Sequence, residues 1–423
     1  MGAALRRRHE MAGLIGAATR LMPERLERPL RSASFRRLVL GKSISYLGDW
    51  LMIAVLVGWV YESTSSVAQV ALLMAIRLVP PIVGGGVAAS LVDRLPRQRV
   101  LVWSEAACAA TIAGALVGVL AGSRSTVFVF VGLCGLVGMV STVAGNALIP
   151  MVVEQDELPA ANGIHSVGQE AAMALGAVGG GLTLAVGGAT VGLAANLASY
   201  GIAVLLYSRI RVVGDADAQA SGRRGGLIEG LRYILRSRAL TVVVGGFALG
   251  TLAAGLVNAT LPKFTANLGL GASGYGWALA ALGFGMIIGE ALTGAIAERI
   301  EPRWLAGGLA GMGCLFFAFA WSGSAASALF FLMTFGVANG FTEVVMMTAI
   351  HEQADAAYQG RVFGVGSTIW RTTMLGAVAL APAIDAVASP AQAISVAACF
   401  LLVGAMLVQV TLRPSRRTAI ATA

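Results

Sequence analysis

Long apolar runs separated by short polar gaps make up nearly the whole chain. The runs cover roughly 38–61, 67–92, 100–121, 126–150, 161–186, 189–208, 239–261, 272–297, 303–322, 325–350, 361–385 and 391–412. Each reaches the ~20 residues a helix needs to cross a hydrocarbon core. In lipid a spanning segment must satisfy its own backbone hydrogen bonds, so every run is predicted to be a helix despite its glycines. One long polar interruption, 209–238, splits the twelve runs six and six. Its second half, Leu227 to Leu235, has the spacing of a short amphipathic helix. The pattern predicts a polar tail (1–37), a six-helix half (38–208), a middle loop (209–238), a second six-helix half (239–412) and a short tail (413–423). The weakly apolar stretch Met11 to Ala18 follows Arg6-Arg7-Arg8 but is too short and glycine-rich for a signal peptide. It reads as a tail with a surface-lying amphipathic helix.

Composition excludes the soluble alternatives. Of 423 residues, 57% are hydrophobic and only 12% charged, and the mean hydropathy is +0.79. The 55 glycines point to closely packed helices. The net charge of +9 does not point to nucleic acid, because the arginines sit in the gaps between apolar runs. With the N-terminus inside, the tail, the gap holding Arg94, Arg97 and Arg99, the middle loop, Arg299 and Arg303, Arg361 and the C-terminal tail all face the cytoplasm. The external side receives only Arg124 and Lys263. This is the positive-inside pattern of a plasma-membrane protein with both termini cytoplasmic. Cys108, Cys134, Cys314 and Cys399 lie inside apolar runs and read as small core residues. His9, His165 and His351 have no ligand spacing, and no Gly-Lys-Ser/Thr phosphate loop occurs. No metal, cofactor or enzymatic activity is expected.

The halves echo each other. Asp93-Arg94-Leu95-Pro96-Arg97 follows the second run, and Glu298-Arg299-Ile300-Glu301-Pro302-Arg303 follows the eighth. Parallel repeats of this kind are a transporter feature. Further pieces are Phe35-Arg36-Arg37-Leu38 with Leu47-Gly48-Asp49-Trp50, Asn146-Ala147-Leu148-Ile149-Pro150 leading into Glu157-Leu158-Pro159-Ala160-Ala161-Asn162, Glu229-Gly230-Leu231-Arg232-Tyr233, and Gly360-Arg361-Val362-Phe363-Gly364. In order and spacing they resemble a major facilitator superfamily transporter of the drug-efflux and siderophore-export type, over about 35–412. The resemblance implies an all-α integral membrane protein of the major facilitator fold, with helices 1, 4, 7 and 10 lining the cavity. Two departures stand out. The loop after the second helix resembles G-x-x-x-D-R-x-G-R-[RK], but Ala89, Pro96 and Gln98 replace three of its residues. Gly176-Ala177-Val178-Gly179-Gly180-Gly181 lacks the proline of the antiporter-associated pattern in the fifth helix.

An ionised side chain at mid-bilayer costs about 2.5–3.5 kcal/mol on insertion scales, so each marks a candidate site. Asp49, Arg77 and Arg371 lie near mid-depth. Glu170, Glu290 and Glu343 lie roughly 12–14 Å from the cytoplasmic helix ends. Asp49 and Glu343 lead as proton or substrate-cation sites, unless Arg77 or Arg371 neutralises them as structural pairs. Arg77 and Arg371 read as partners of Asp49, Glu170 or Glu343 in preference to free anion ligands. Glu290 reads as a packing-buried acid, and Glu105 as an acid reaching the headgroups. Asn146, Asn258 and Asn339 are polar points for substrate or interhelical bonding, and Trp50 is a candidate for stacking on an aromatic substrate. The resemblance places Asp93 beside the start of the eleventh helix and Arg361, and Glu298 against the fifth helix near Asn162. With Arg94, Arg97 and Arg299 they form a cytoplasmic gate that breaks when the halves rock; topology alone is the other reading. Pro80-Pro81, Pro150 and Pro382 would loosen moving helices.

The functional expectation is a monomeric secondary transporter that exports small amphipathic molecules by proton antiport and alternating access. The alternatives are a dedicated exporter of a siderophore or lipid-like metabolite, and a non-transporting membrane interaction protein with the same fold.

Overall fold

The computed structural model describes residues 24–212, 227–270, 273–294, 301 and 304–411. The described elements are helical: α1 (Glu24–Arg31), α2 (Ala33–Thr64), α3 (Val67–Arg94), α4 (Arg97–Leu120), α5 (Arg124–Leu148), α6 (Leu158–Tyr207), α7 (Leu227–Arg236), α8 (Arg238–Asn267), α9 (Ser273–Gly294), α10 (Trp304–Ala320), α11 (Ala325–Gln353), α12 (Ala356–Val387) and α13 (Pro390–Thr411). Two single turns of 3₁₀ helix, Ile149–Met151 and Gln155–Glu157, join α5 to α6.

Among the described residues nine helices are long and apolar enough to cross a membrane. One of them is double. α6 runs for 50 residues, about 75 Å of helix if straight, more than two hydrocarbon thicknesses. Gly188 breaks it with φ 64° and ψ −167°, a conformation essentially confined to glycine. The fifth and sixth runs therefore meet at the Gly187–Gly188 step, where the apolar pattern pauses. α10 is apolar but has only 17 described residues, and α12 carries Arg361, Arg371 and Asp385. With these two, the twelve predicted runs all correspond to helices.

Caps set several helix starts. Ser32 accepts the Phe35 N–H at 3.2 Å and donates to the Val152 carbonyl at 2.8 Å. α2 thus begins at Ala33, five residues before the first apolar run. Ser66, Ser123, Ser237 and Ser324 cap α3, α5, α8 and α11 in the same way.

In the first half α2 packs on α6, and α4 on α5 and α6. In the second half α9 packs on α11, α10 on α13, and α8 on α12 and α13. The halves meet along two seams, α6 against α9 and α3 against α12. The first seam is backbone to backbone: a Cβ on Gly276 would collide with the Gly181 carbonyl, and one on Gly283 would press on the Ala174 carbonyl. The glycines of the fifth and eighth runs thus let the two halves touch.

Candidate functional site

Asp49 sits midway along α2 and is partly buried. Its Oδ1 accepts the Tyr200 hydroxyl hydrogen at 2.6 Å, and the same hydroxyl lies 3.5 Å from the Cys134 sulfur. α2, α6 and α5 therefore converge on this carboxylate. Gly48 makes the approach possible, since a Cβ there would meet Ser199 and Asn196 of α6. Arg77 on α3 does not pair with the Asp49 carboxylate. Its guanidinium donates to the Asp49 backbone carbonyl at 3.3 Å. The expected ion pair is replaced by a bond to the main chain, and the acid keeps a neutral donor instead.

One turn earlier on α2 lies a second polar cluster, which the sequence alone did not bring together. Lys42 is buried at 6% exposure, and its Nζ donates to the Ser141 carbonyl at 3.0 Å and hydroxyl at 3.3 Å. Ser141 donates to Glu105 Oε1 at 2.5 Å, and Ser45 donates to Glu105 Oε2 at 3.0 Å. Glu105 is 1% exposed and so does not reach the headgroups. The physical reason is azimuthal: Glu105 lies on the face of α4 turned into the bundle. The spacing Lys42, Ser45, Asp49, at i, i+3 and i+7 on one helix face, was the signal that could have found the cluster.

Trp50 meets Tyr46 edge to face, with ring centroids 6.3 Å apart. Arg371 on α12 is partly buried and has neither an ion pair nor a hydrogen bond among the described residues. Arg77 and Tyr46 are among the groups near enough to act on its charge. Arg371 makes no ion pair with Asp49 among the described residues. Glu343 is partly buried on α11, one turn from the partly buried Asn339. Asn258 returns its amide to the Ala254 carbonyl of its own helix at 3.0 Å. Asn146 is exposed, with its Oδ1 3.3 Å from His165 Nε2 on α6. Glu170 lies in α6, but its side chain falls outside the described residues.

The gate is only partly in view. The Asp93 side chain, Glu298 and Arg299 lie outside the described residues, and Arg94 is exposed. Arg97 donates to the Ala147 carbonyl at 3.2 Å, tying the start of α4 to the end of α5. Gln98, one of the motif departures, donates to the Tyr207 and Ile210 carbonyls at 2.9 and 2.8 Å. It satisfies carbonyls at the C-terminal end of α6 that would otherwise lack donors. Arg361 pairs with Glu229 of α7 at 3.2 Å and lies over the Tyr358 ring at 4.8 Å. Tyr233 of α7 stacks on Tyr358 at 4.3 Å, donates to the Asp355 carboxylate at 3.1 Å and accepts the Asp355 N–H at 3.0 Å. The amphipathic helix of the middle loop is thus docked on the start of α12. At the opposite end of the bundle Lys263 pairs with Asp385 at 2.7 Å, joining α8 to α12.

The family model of the Major Facilitator Superfamily matches residues 38–378 and 243–421. The chain belongs to this superfamily. It is therefore a multi-pass membrane transporter, built as the polar clusters between its spans suggest. The enterobactin exporter EntS of Escherichia coli O6:K15:H31 (strain 536 / UPEC) is 24% identical over 399 residues, covering 91% of this chain and 93% of that one. The uncharacterized MFS-type transporter YkuC of Bacillus subtilis (strain 168) is 34% identical over 84 residues, 18% of this chain and 19% of that one. Among solved structures, an inward-facing, unoccupied bacterial homologue of the human lysosomal transporter Spinster gives a TM-score of 0.70 at 16% identity, covering 91% of this chain and 97% of that one. A point mutant of the nucleoside transporter NupG gives 0.67 at 11% identity, covering 90% and 100%. These two structures establish a shared fold.

Proposed function

We propose that this transporter exports small amphipathic molecules across the plasma membrane in exchange for protons, with Asp49 as the proton-carrying acid. The observation that carries the reading is the Asp49 environment: a mid-helix carboxylate held at 2.6 Å by a neutral hydroxyl, with no cation on its oxygens among the described residues. A permanent ion pair would tie the carboxylate to one fixed countercharge; a neutral hydroxyl partner does not. Glu343 is the second candidate. The protein acts as a monomer with both termini in the cytoplasm, the halves 38–208 and 239–412 rocking about the α6–α9 and α3–α12 seams. Asp93, Glu298 and the arginines beside them close the cytoplasmic side.

The 24% identity to an enterobactin exporter over nearly the full length favours a second reading, a dedicated exporter of an endogenous siderophore. Everted membrane vesicles separate transport from a non-transporting role. With the gradient acid inside, adding a transported compound should dissipate the pH difference in vesicles carrying the wild type. Vesicles carrying Asp49→Asn should show no such response. A response of equal size in both would remove Asp49 from the coupling step.

A further inference from the structure

We infer that Arg77 and Arg371 form a binding site for the anionic group of an aromatic or flat apolar substrate, an inference that rests on the export reading and specifies its substrate class. The two guanidinium groups come from opposite halves, at similar depth in α3 and α12, which pack along each other. Like charges in a low-dielectric region repel strongly unless an acid separates them. None of the ion pairs of the described residues, Arg28–Asp156, Lys263–Asp385 and Arg361–Glu229, includes either arginine. Among the described residues Arg77 places its one hydrogen bond on the Asp49 backbone carbonyl, and Arg371 makes none. Asp49, the nearby acid on α2, is engaged by Tyr200.

The local backbone favours an adjustable Arg77. Pro80 and Pro81 lie inside α3. Proline has no N–H, so the carbonyls of Ile76 and Arg77, four residues earlier, lose their helical donors and the turn bearing Arg77 is loosened. Two planar forks that carry ten N–H donors between them suit a carboxylate or another multi-oxygen anion. Tyr46, within reach of Arg371, stands edge to face with Trp50, which sets an aromatic wall next to the charge. Because each half contributes one arginine, a bound anion bridges the seam on which the halves rock. An anionic substrate therefore binds best in the conformer that brings both arginines onto it, which links occupancy to alternating access.

The test is equilibrium binding of radiolabelled 2-naphthoate to the purified transporter in lipid nanodiscs, with 2-naphthylmethylammonium as the cation of matched shape. The wild type should bind naphthoate and not the ammonium. Arg371→Gln should weaken naphthoate binding about thirtyfold or more, Arg77→Gln less, and Arg371→Lys should retain most of it. The lysine variant guards against misfolding, since a merely structural arginine would not be rescued in binding by a point charge alone. Equal affinity in wild type and Arg371→Gln, tighter binding of the ammonium, or no naphthoate binding by the wild type would each overturn the site. Proton-linked flux of a cationic dye without naphthoate binding sinks the anion site and leaves the export reading intact. Naphthoate binding without any proton-linked flux does the reverse.

Discussion

Glu105 in the first half and Glu290 in the second are both glutamates set into membrane-spanning helices, yet their surroundings differ. Glu105 is 1% exposed, and each of its oxygens accepts a hydroxyl hydrogen, from Ser141 and Ser45, with Lys42 on the far side of Ser141. Glu290 buries Oε1 with no hydrogen-bond partner among the described residues, pressed toward Gly340 of α11. The Glu105 cluster has completed its hydrogen bonds within the fold. Among the described residues Glu290 Oε1 is left open, as are Arg361 Nε in the same half and His165 Nδ1 and the Tyr207 hydroxyl in the first. A satisfied network costs little to keep and resists rearrangement, whereas an open one is completed only by another conformer or by a ligand. The contrast makes the Glu105 cluster a fixed anchor and Glu290 a group whose surroundings change as the halves rock.

Removing the anchor should give the largest effect. Glu105→Leu leaves Lys42 buried without its acid, and breaking one side of such an arrangement costs about 3–5 kcal/mol. Thermal unfolding in detergent should show a large drop, and the double change Glu105→Leu with Lys42→Met should recover most of it. If the double variant is as unstable as the single, Glu105 contributes through packing alone.

Gly276→Ala probes the seam. The added methyl meets the Gly181 carbonyl only in the conformer where α6 and α9 touch. Overpacking costs about 1–3 kcal/mol, so that conformer should lose population roughly five- to 150-fold. Spin labels on the ends of α6 and α9 nearest Gly181 should move apart. An unchanged distance distribution would mean the helices yield without a change of state.

Glu290→Leu should act opposite to Glu105→Leu. Replacing an unsatisfied buried acceptor by an apolar group of similar size removes a desolvation penalty of about 1–3 kcal/mol. The melting temperature should rise or stay level. A fall comparable to that of Glu105→Leu would show that Glu290 has a partner in solution and erase the contrast between the two glutamates.

The spans were legible because lipid imposes one simple rule: about twenty apolar residues and an internally bonded backbone. Even the turn inside α6 could be read from Gly187–Gly188. The sites were less legible, for a geometric reason. Sequence gives a residue's depth along a helix well, but its azimuth poorly when apolar residues surround the helix on all sides. Arg77 and Asp49 lie at matching depth, yet the guanidinium reaches the backbone and the carboxylate turns to Tyr200. Glu105 and Lys42, each within a few turns of a helix end, look like side chains that snorkel to the surface. Only the packing of α2 between α4, α5 and α6 turns them inward. Tyr200 and Ser141 carry no charge pattern, so nothing in the apolar runs marked them. The docking of α7 was half-visible: its amphipathic spacing and the Glu229-Gly230 pair stand in the sequence, but its receptor at Asp355, Tyr358 and Arg361 took the fold to assemble.

Asp49 must cycle its proton while the Glu105 cluster holds still. Proteoliposomes of purified protein with an internal pH indicator, under an imposed substrate gradient, measure this directly. The wild type and Glu105→Gln should both move protons against the substrate, and Asp49→Asn should move none while still exchanging substrate across the membrane. Proton movement that survives in Asp49→Asn and vanishes in Glu105→Gln would contradict the account by placing the coupling acid in the Lys42 cluster.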